Sequence, residues 1–171
     1  MKSNKGYLAI AALLLTWSIC TPASAQTKNT QVDHSERGGA SISIPMDHVK
    51  FAPWGANTIQ SLGDYKAKGL QIQTGNVYGD PKVGPHGTFL ILPAGFVSDL
   101  HSHTNDYFGV LIRGTATNHG ANAEDVPMPP GSYWFQRGKE AHITKCLSTE
   151  DCLIFMYQDG KMDTQVLEKA K

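Results

Sequence analysis

The stretch at residues 95–114, GFVSDLHSHTNDYFGVLIRG, constrains the fold of this chain more than any other. Glycines close it at both ends, and two histidines, His101 and His103, sit one residue apart between apolar, strand-like segments. Alternate side chains of a β-strand point to the same face, so residues i and i+2 project side by side. Two neutral imidazoles placed that way can converge on one metal ion. Taken alone, the pair leaves a second reading open: two solvated histidines on an exposed strand.

The same punctuation runs through the rest of the chain. Seventeen glycines and nine prolines are spread over 171 residues, and helical periodicity is scarce. Many short strands joined by tight turns indicate an all-β barrel or sandwich with little helix. At 40% hydrophobic residues the chain can bury one real core, and it is too short for two comfortable domains. Fifteen basic residues balance fifteen acidic ones, which argues against a nucleic-acid footprint or a polybasic membrane patch.

Residues 1–25 read as a signal peptide. Lys2 and Lys5 form a basic start, residues 7–19 an apolar stretch too short to span a membrane comfortably, and residues 21–25 a small-residue site for cleavage after Ala25. Cys20 raises a lipoprotein alternative, but Trp17-Ser18-Ile19 before it lacks the small residue expected there. The mature protein is therefore expected to be secreted or periplasmic, free of the membrane, with 13 basic and 15 acidic residues. Export changes the meaning of the cysteines. Cys146 and Cys152 remain, an even number in an oxidising compartment, flanking a polar loop between two strand-like runs. A disulfide across a hairpin is expected; free thiols or a redox role are the alternatives.

Residues 26–40 are polar and read as a flexible arm, followed by one domain at 41–171. Within it, 41–45 alternates as a short edge strand ended by Pro45, and Phe51 and Trp54 anchor a loop across the fold. Strands are expected at 69–78, 88–92, 96–103, 107–117, 131–136, 140–147 and 152–158. Residues 118–130 form a polar connection, and 164–169 one helical turn. On the second strand of the histidine segment, alternation puts Tyr107, Gly109, Leu111 and Arg113 on one face. If Cys146 and Cys152 oppose each other in a hairpin, 144 pairs with 154 and 142 with 156. His142, Thr144 and Met156 then share a face lining the pocket, with Gln158 near its mouth. His34, His48 and His119 read as solvated, His86 as a weaker candidate for the cavity, and Trp134 and Phe135 as barrel packing.

Two motifs carry a family resemblance. Gly95, five residues, His101-Ser102-His103, then Tyr107 and six residues to Gly114 resembles the first cupin motif, G-x5-H-x-H-x3,4-E-x6-G. After sixteen intervening residues, Gly131, Arg137, Lys139, His142 and Cys146 fall on the second, G-x5-P-x-G-x2-H-x3-N. The segments HSHTNDY and PGSYWFQ are similar to those of small exported cupins without an assigned function. The resemblance implies a double-stranded β-helix, or jelly-roll barrel, with a metal held by His101, His103 and His142. Tyr107 stands where the motif has glutamate, with Asp106 beside it. Arg137, Lys139 and Cys146 replace the proline, second glycine and asparagine of the second motif. Cupin dioxygenases that cleave acetylacetone or oxidise thiols are similar in using three histidines without the glutamate.

Three neutral imidazoles leave positions open on a divalent ion for water, O₂ or a bidentate substrate, and the missing carboxylate favours an anionic or enolate-like oxygen as partner. Fe(II) is the expected ion, with Zn, Mn, Ni and Cu as alternatives. Tyr107 is the candidate catalytic residue through its hydroxyl; a barrel-wall tyrosine is the competing reading. The function expected is a metal-dependent, dioxygenase-like oxidoreductase acting on a small molecule. A non-catalytic ligand- or metal-binding cupin and a metal-dependent isomerase or hydrolase stay open, as does a homodimer.

Overall fold

The computed structural model describes residues 41–54 and 71–167. The expected signal peptide, the arm, the start of the strand at 69–78 and the end of the turn at 164–169 lie outside the described residues.

Among the described residues, ten short strands pair antiparallel into two sheets. Six form one sheet in the order β1 (Ala52–Pro53), β2 (Gln73–Gly79), β3 (His86–Leu92), β9 (Cys152–Gln158), β5 (Tyr107–Arg113), β7 (Tyr133–Gln136). Four form the other in the order β10 (Gln165–Val166), β4 (His101–Ser102), β8 (His142–Cys146), β6 (Ala116–Gly120). A single 3-10 turn, Met46–His48, is the only helical element among the described residues. The architecture is all-β, as the glycine-rich sequence implies, and takes the jelly-roll form that the cupin resemblance implies.

Strand alternation fills the interior in layers. Leu90 pairs with Ile154, and Ile154 with Leu111, so three apolar side chains share one layer. Leu111 and Ile154 are fully buried, and each contributes about 1.5–3 kcal/mol by leaving water. Along the same strands lies a polar row: His86 pairs with Gln158, Gln158 with Tyr107, and Tyr107 with Gln136, all buried. The opposite parity faces outward, where Phe108 stacks on Tyr157 and Phe89 meets Phe155 edge-on.

Several expectations change. Residues 41–45 form no strand, and the first edge strand is Ala52–Pro53. The expected strand at 107–117 divides at Gly114, where a φ of +86° turns the chain from one sheet into the other. A Cβ at Gly114 would lie 2.8 Å from both Cys152 Sγ and Ser148 Oγ, so only glycine fits that turn. An irregularity between Leu111 and Arg113 carries Arg113 to the surface, where its Nε donates to the Asp151 carbonyl. Residues 165–166 extend as β10 on the edge of the histidine sheet rather than coil into a helical turn.

The largest correction concerns β8 and β9. They are not hydrogen-bonded neighbours: β8 pairs with β4 and β6, β9 with β3 and β5. The expected hairpin register, 142 with 156, therefore does not exist. Cys146 and Cys152 are nonetheless joined by a disulfide, with both residues buried. It ties one sheet to the other instead of closing a ladder.

Candidate metal centre

β4 and β8 run side by side with His101 directly opposite His142, their ring centroids 4.2 Å apart. His103 lies just past the end of β4, its ring 5.0 Å from that of His101 and 5.2 Å from that of His142. One ring nitrogen from each of the three lies within 4.8 Å of the others, and all three residues are buried. The two histidines of the pair thus point together, as strand alternation requires, and the third arrives from the neighbouring strand.

Each ring is held by its other nitrogen. Nδ1 of His101 lies 2.8 Å from the Asp99 carbonyl, Nδ1 of His142 lies 3.2 Å from the Glu140 carbonyl, and Nδ1 of His103 meets the Asp163 carbonyl. A carbonyl can only accept, so each Nδ1 carries the proton and each Nε2 keeps its lone pair. Burial, then the neighbouring His103, takes the His101 pKa down to about 4; burial, then His101, takes His142 down to about 3. Burial lowers His103 as well. Three neutral imidazoles, each fixed in one tautomer by a backbone carbonyl, are a donor set that fits a divalent ion.

Tyr107 reaches this cluster from the opposite sheet. Its hydroxyl is 3.1 Å from His142 Nε2 and 3.3 Å from Asn118 Oδ1. Burial pushes its pKa up to about 12, so it serves as a neutral donor. A ring of hydrogen bonds returns from it to His142. Asn118 Nδ2 donates to Gln136 Oε1, and Gln136 Nε2 donates to the Glu140 carbonyl that also accepts from His142. Thr144 donates to Asn118 at 2.7 Å.

A cavity of about 690 Å³, counted out to its open mouth, adjoins the cluster. His101, His103, Tyr107 and Thr144 stand at its polar end; Ile72, Leu90, Leu92, Phe96, Ile154 and Met156 form its apolar walls. Trp134 lines it too, lying across Gly109, where a Cβ would come within 2.2 Å of the indole. The tail completes the wall. Thr164 and Val166 line the cavity, and Asp163 accepts from the Thr104 backbone N–H at 2.9 Å and from its hydroxyl.

Residues 59–171 match the family model described as "Domain of unknown function (DUF4437)". The chain belongs to the DUF4437 family. Solved structures similar to it are cupins. A candidate acetylacetone dioxygenase from Methylibium petroleiphilum PM1 is 18% identical over 72% of this chain and 79% of its own, with a TM-score of 0.53. An RmlC-like cupin from Ralstonia eutropha JMP134 is also 18% identical, over 71% of this chain and 69% of its own, with a TM-score of 0.53. The DMSP lyase DddQ from Ruegeria pomeroyi DSS-3 is 12% identical over 69% of this chain and 60% of its own, at 0.54. No curated protein matches the sequence. At these identities the likeness establishes the cupin fold and nothing finer.

Within the cupin fold of this DUF4437 protein, Met156 and Thr144 line the cavity from opposite sheets. Their inward parity survives although the hairpin that suggested it does not. Gln158 lies elsewhere: the cavity runs from Met156 toward Leu92, and Gln158 is buried one layer the other way, its amide donating to the Asn105 carbonyl. His86 shares that layer, fully buried, with Nδ1 against the Gly84 and Gly160 carbonyls. His48 is exposed, and His34 lies outside the described residues. His119 is not solvated: the connection after β6 folds back so that Asp125 lies 2.8 Å from both His119 Nε2 and Lys145 Nζ. Phe135 points outward, whereas Trp134 packs in the cavity wall. Asn118, Gln136 and Asp163 carry no signal in the sequence, because their role depends on partners 11 to 60 residues distant.

Proposed function

We propose that this protein is an exported, metal-dependent cupin that acts on a small molecule, with dioxygenase-like oxidation as its reaction and Fe(II) as its ion. The observation that carries the reading is the convergence of three neutral imidazoles, each pinned by a backbone carbonyl, at the end of an apolar cavity. A divalent ion held by His101, His103 and His142 would supply Lewis acidity and, as iron(II), one-electron chemistry with O₂.

The chain's own residues bind, orient and exclude water. Tyr107, neutral and buried, offers its hydroxyl as a hydrogen-bond donor to a substrate oxygen beside His142. The apolar walls keep bulk water from a reactive substrate. The buried Cys146–Cys152 disulfide supports a location outside the cytoplasm, in keeping with the leader expected at residues 1–25. A non-catalytic ligand-binding cupin is the second reading. It is favoured by one observation: apart from Tyr107 and the histidines, the only ionisable side chain lining the cavity among the described residues is the exposed Asp99. That shortage of a buried base also weighs against an isomerase or hydrolase.

Metal analysis of the purified protein, with His142→Ala beside it and His119→Ala as control, tests the ligand set. One ion per chain in wild type and control, and severe loss in His142→Ala, is expected. Oxygen uptake by the iron-loaded protein across diketones, thiols and phenolics then separates oxidation from binding alone. Full metal content in His142→Ala would remove the third ligand.

A further inference from the structure

The cavity says more about its ligand than the histidines do. Its polar groups are gathered at one end, where His101, His103, Tyr107 and Thr144 meet. Beyond them the walls are mostly carbon, with Ile72, Leu90, Leu92, Phe96, Ile154 and Met156 outnumbering the hydroxyls of Ser98 and Thr164. No lysine or arginine is among the described lining residues, and the one carboxylate, Asp99, is exposed beside His101.

We infer that the cavity takes a small molecule with a single metal-directed pair of oxygens and an uncharged apolar body, aryl or branched alkyl; the inference rests on the three-histidine metal reading above. One negative charge at the head is matched by an ion on three neutral ligands. A second one, on a phosphate or a distal carboxylate, finds no cation among the described residues, whose only fixed charge in the lining is the like-signed Asp99. Sugar hydroxyls fare little better, because the apolar walls offer few groups to replace the water they would lose, chiefly the indole N–H groups of Trp54 and Trp134. An apolar body loses nothing and gains the burial of its surface. Trp54 and Phe96 add flat aromatic faces to the walls, which suits a ring. The same cavity therefore discriminates by the body of the ligand while the ion holds the head.

Three hydroxamates with one chelating head and different bodies test this. Cobalt(II)-loaded protein is titrated with acetohydroxamate, benzohydroxamate and the monohydroxamate of succinic acid, read by the visible cobalt spectrum. Benzohydroxamate is expected to bind roughly tenfold tighter than acetohydroxamate, and the acid-tailed probe more weakly than either. Val166, an exposed lining residue, is the site for a second variant: Val166→Trp is expected to narrow the cavity and abolish the advantage of the phenyl probe. Equal affinity for the three probes, or a phenyl advantage that persists in Val166→Trp, would overturn the inference while leaving the metal site intact. Failure to take up cobalt would remove the metal reading and this inference with it.

Discussion

The hydroxyl of Tyr107 lies 3.1 Å from Nε2 of His142, the lone pair that a metal ion would need. Nδ1 of His142 already gives its proton to the Glu140 carbonyl, so tyrosine is the donor in this contact. Proton and metal compete for the same nitrogen, and Asn118 Oδ1 at 3.3 Å is the acceptor to which the hydroxyl can turn. Tyr107→Phe removes the competitor. It is expected to tighten zinc binding by about fivefold, the equivalent of one net hydrogen bond of about 1 kcal/mol, and to lose turnover if the hydroxyl orients substrate. Chelator-competition titration measures the first effect. Weaker binding would show that the hydroxyl supports the ion instead of opposing it. Tyr107→Glu, which restores the carboxylate of the cupin motif, is expected to bind metal more tightly still and to close a position that substrate needs.

The histidines also predict a pH dependence for the metal-free protein. His101 titrates at about 4 and His142 at about 3 in the folded state, against about 6.5 in an unfolded chain. As pH falls through that interval the unfolded chain takes up protons that the folded one refuses. Stability is therefore complete above about pH 6.5 and declines toward pH 4. Melting curves of chelated protein across this range should show the decline, and His142→Gln should flatten it. A flat wild-type profile would contradict the burial of neutral imidazoles.

Asp163 joins the tail to the metal cluster twice. Its carbonyl holds His103, and its carboxylate holds the backbone and hydroxyl of Thr104, the next residue. Asp163→Asn keeps the size but puts an amide where two donors expect oxygens. Metal affinity is expected to fall by about tenfold, the lower end for residues that orient a ligand histidine. Unaltered affinity, with folding intact by circular dichroism, would confine Asp163 to closing the tail.

Much of this site is legible in the sequence, for a physical reason. A period of two fixes which residues share a face, and His101, His103, Tyr107, Thr144, His142 and Met156 all obey it. Strand partnership is not legible in the same way. Cys146 and Cys152, six residues apart, look like the two sides of a hairpin, yet their strands belong to different sheets. Inward parity is unaffected, which is why Met156 reaches the cavity all the same. Arg113 fails where a bulge resets the parity, and Gln158 fails because parity says nothing of depth along the barrel. Asp163 and Asn118 depend on contacts that no local pattern announces.

Because the disulfide crosses between sheets, its loss acts on the core and not merely on a loop. Closing five intervening residues stabilises the fold by about 2 kcal/mol, near the low end for short loops. Cys146→Ala with Cys152→Ala is expected to cost about that much, or more where the emptied volume beside Gly114 is not refilled. Urea denaturation of oxidised protein against the double variant gives the difference. Equal midpoints would mean that packing alone holds the sheets together there.

Lys139 stands where the second motif has its second glycine, and its own backbone lies in the region that favours glycine. Its φ is +65°, and it is the only non-glycine residue in the left-handed region among the described residues. The conformation is enforced from both sides. Lys139 N–H donates to the His103 carbonyl at 2.6 Å, and the preceding Gly138 N–H donates to the Asp106 carboxylate at 2.7 Å. Asp106 is thereby committed to the turn and not to the metal cluster. A side chain in the left-handed region costs about 1 kcal/mol that glycine avoids. Glycine also loses more freedom on folding, which offsets part of the gain. Lys139→Gly is expected to stabilise the protein slightly, by about 0.5 kcal/mol net, while leaving metal affinity unchanged because the hydrogen bond to His103 is a backbone one. Calorimetry and zinc titration together check this. A destabilised variant would show that the lysine side chain makes a contribution larger than the strain it carries.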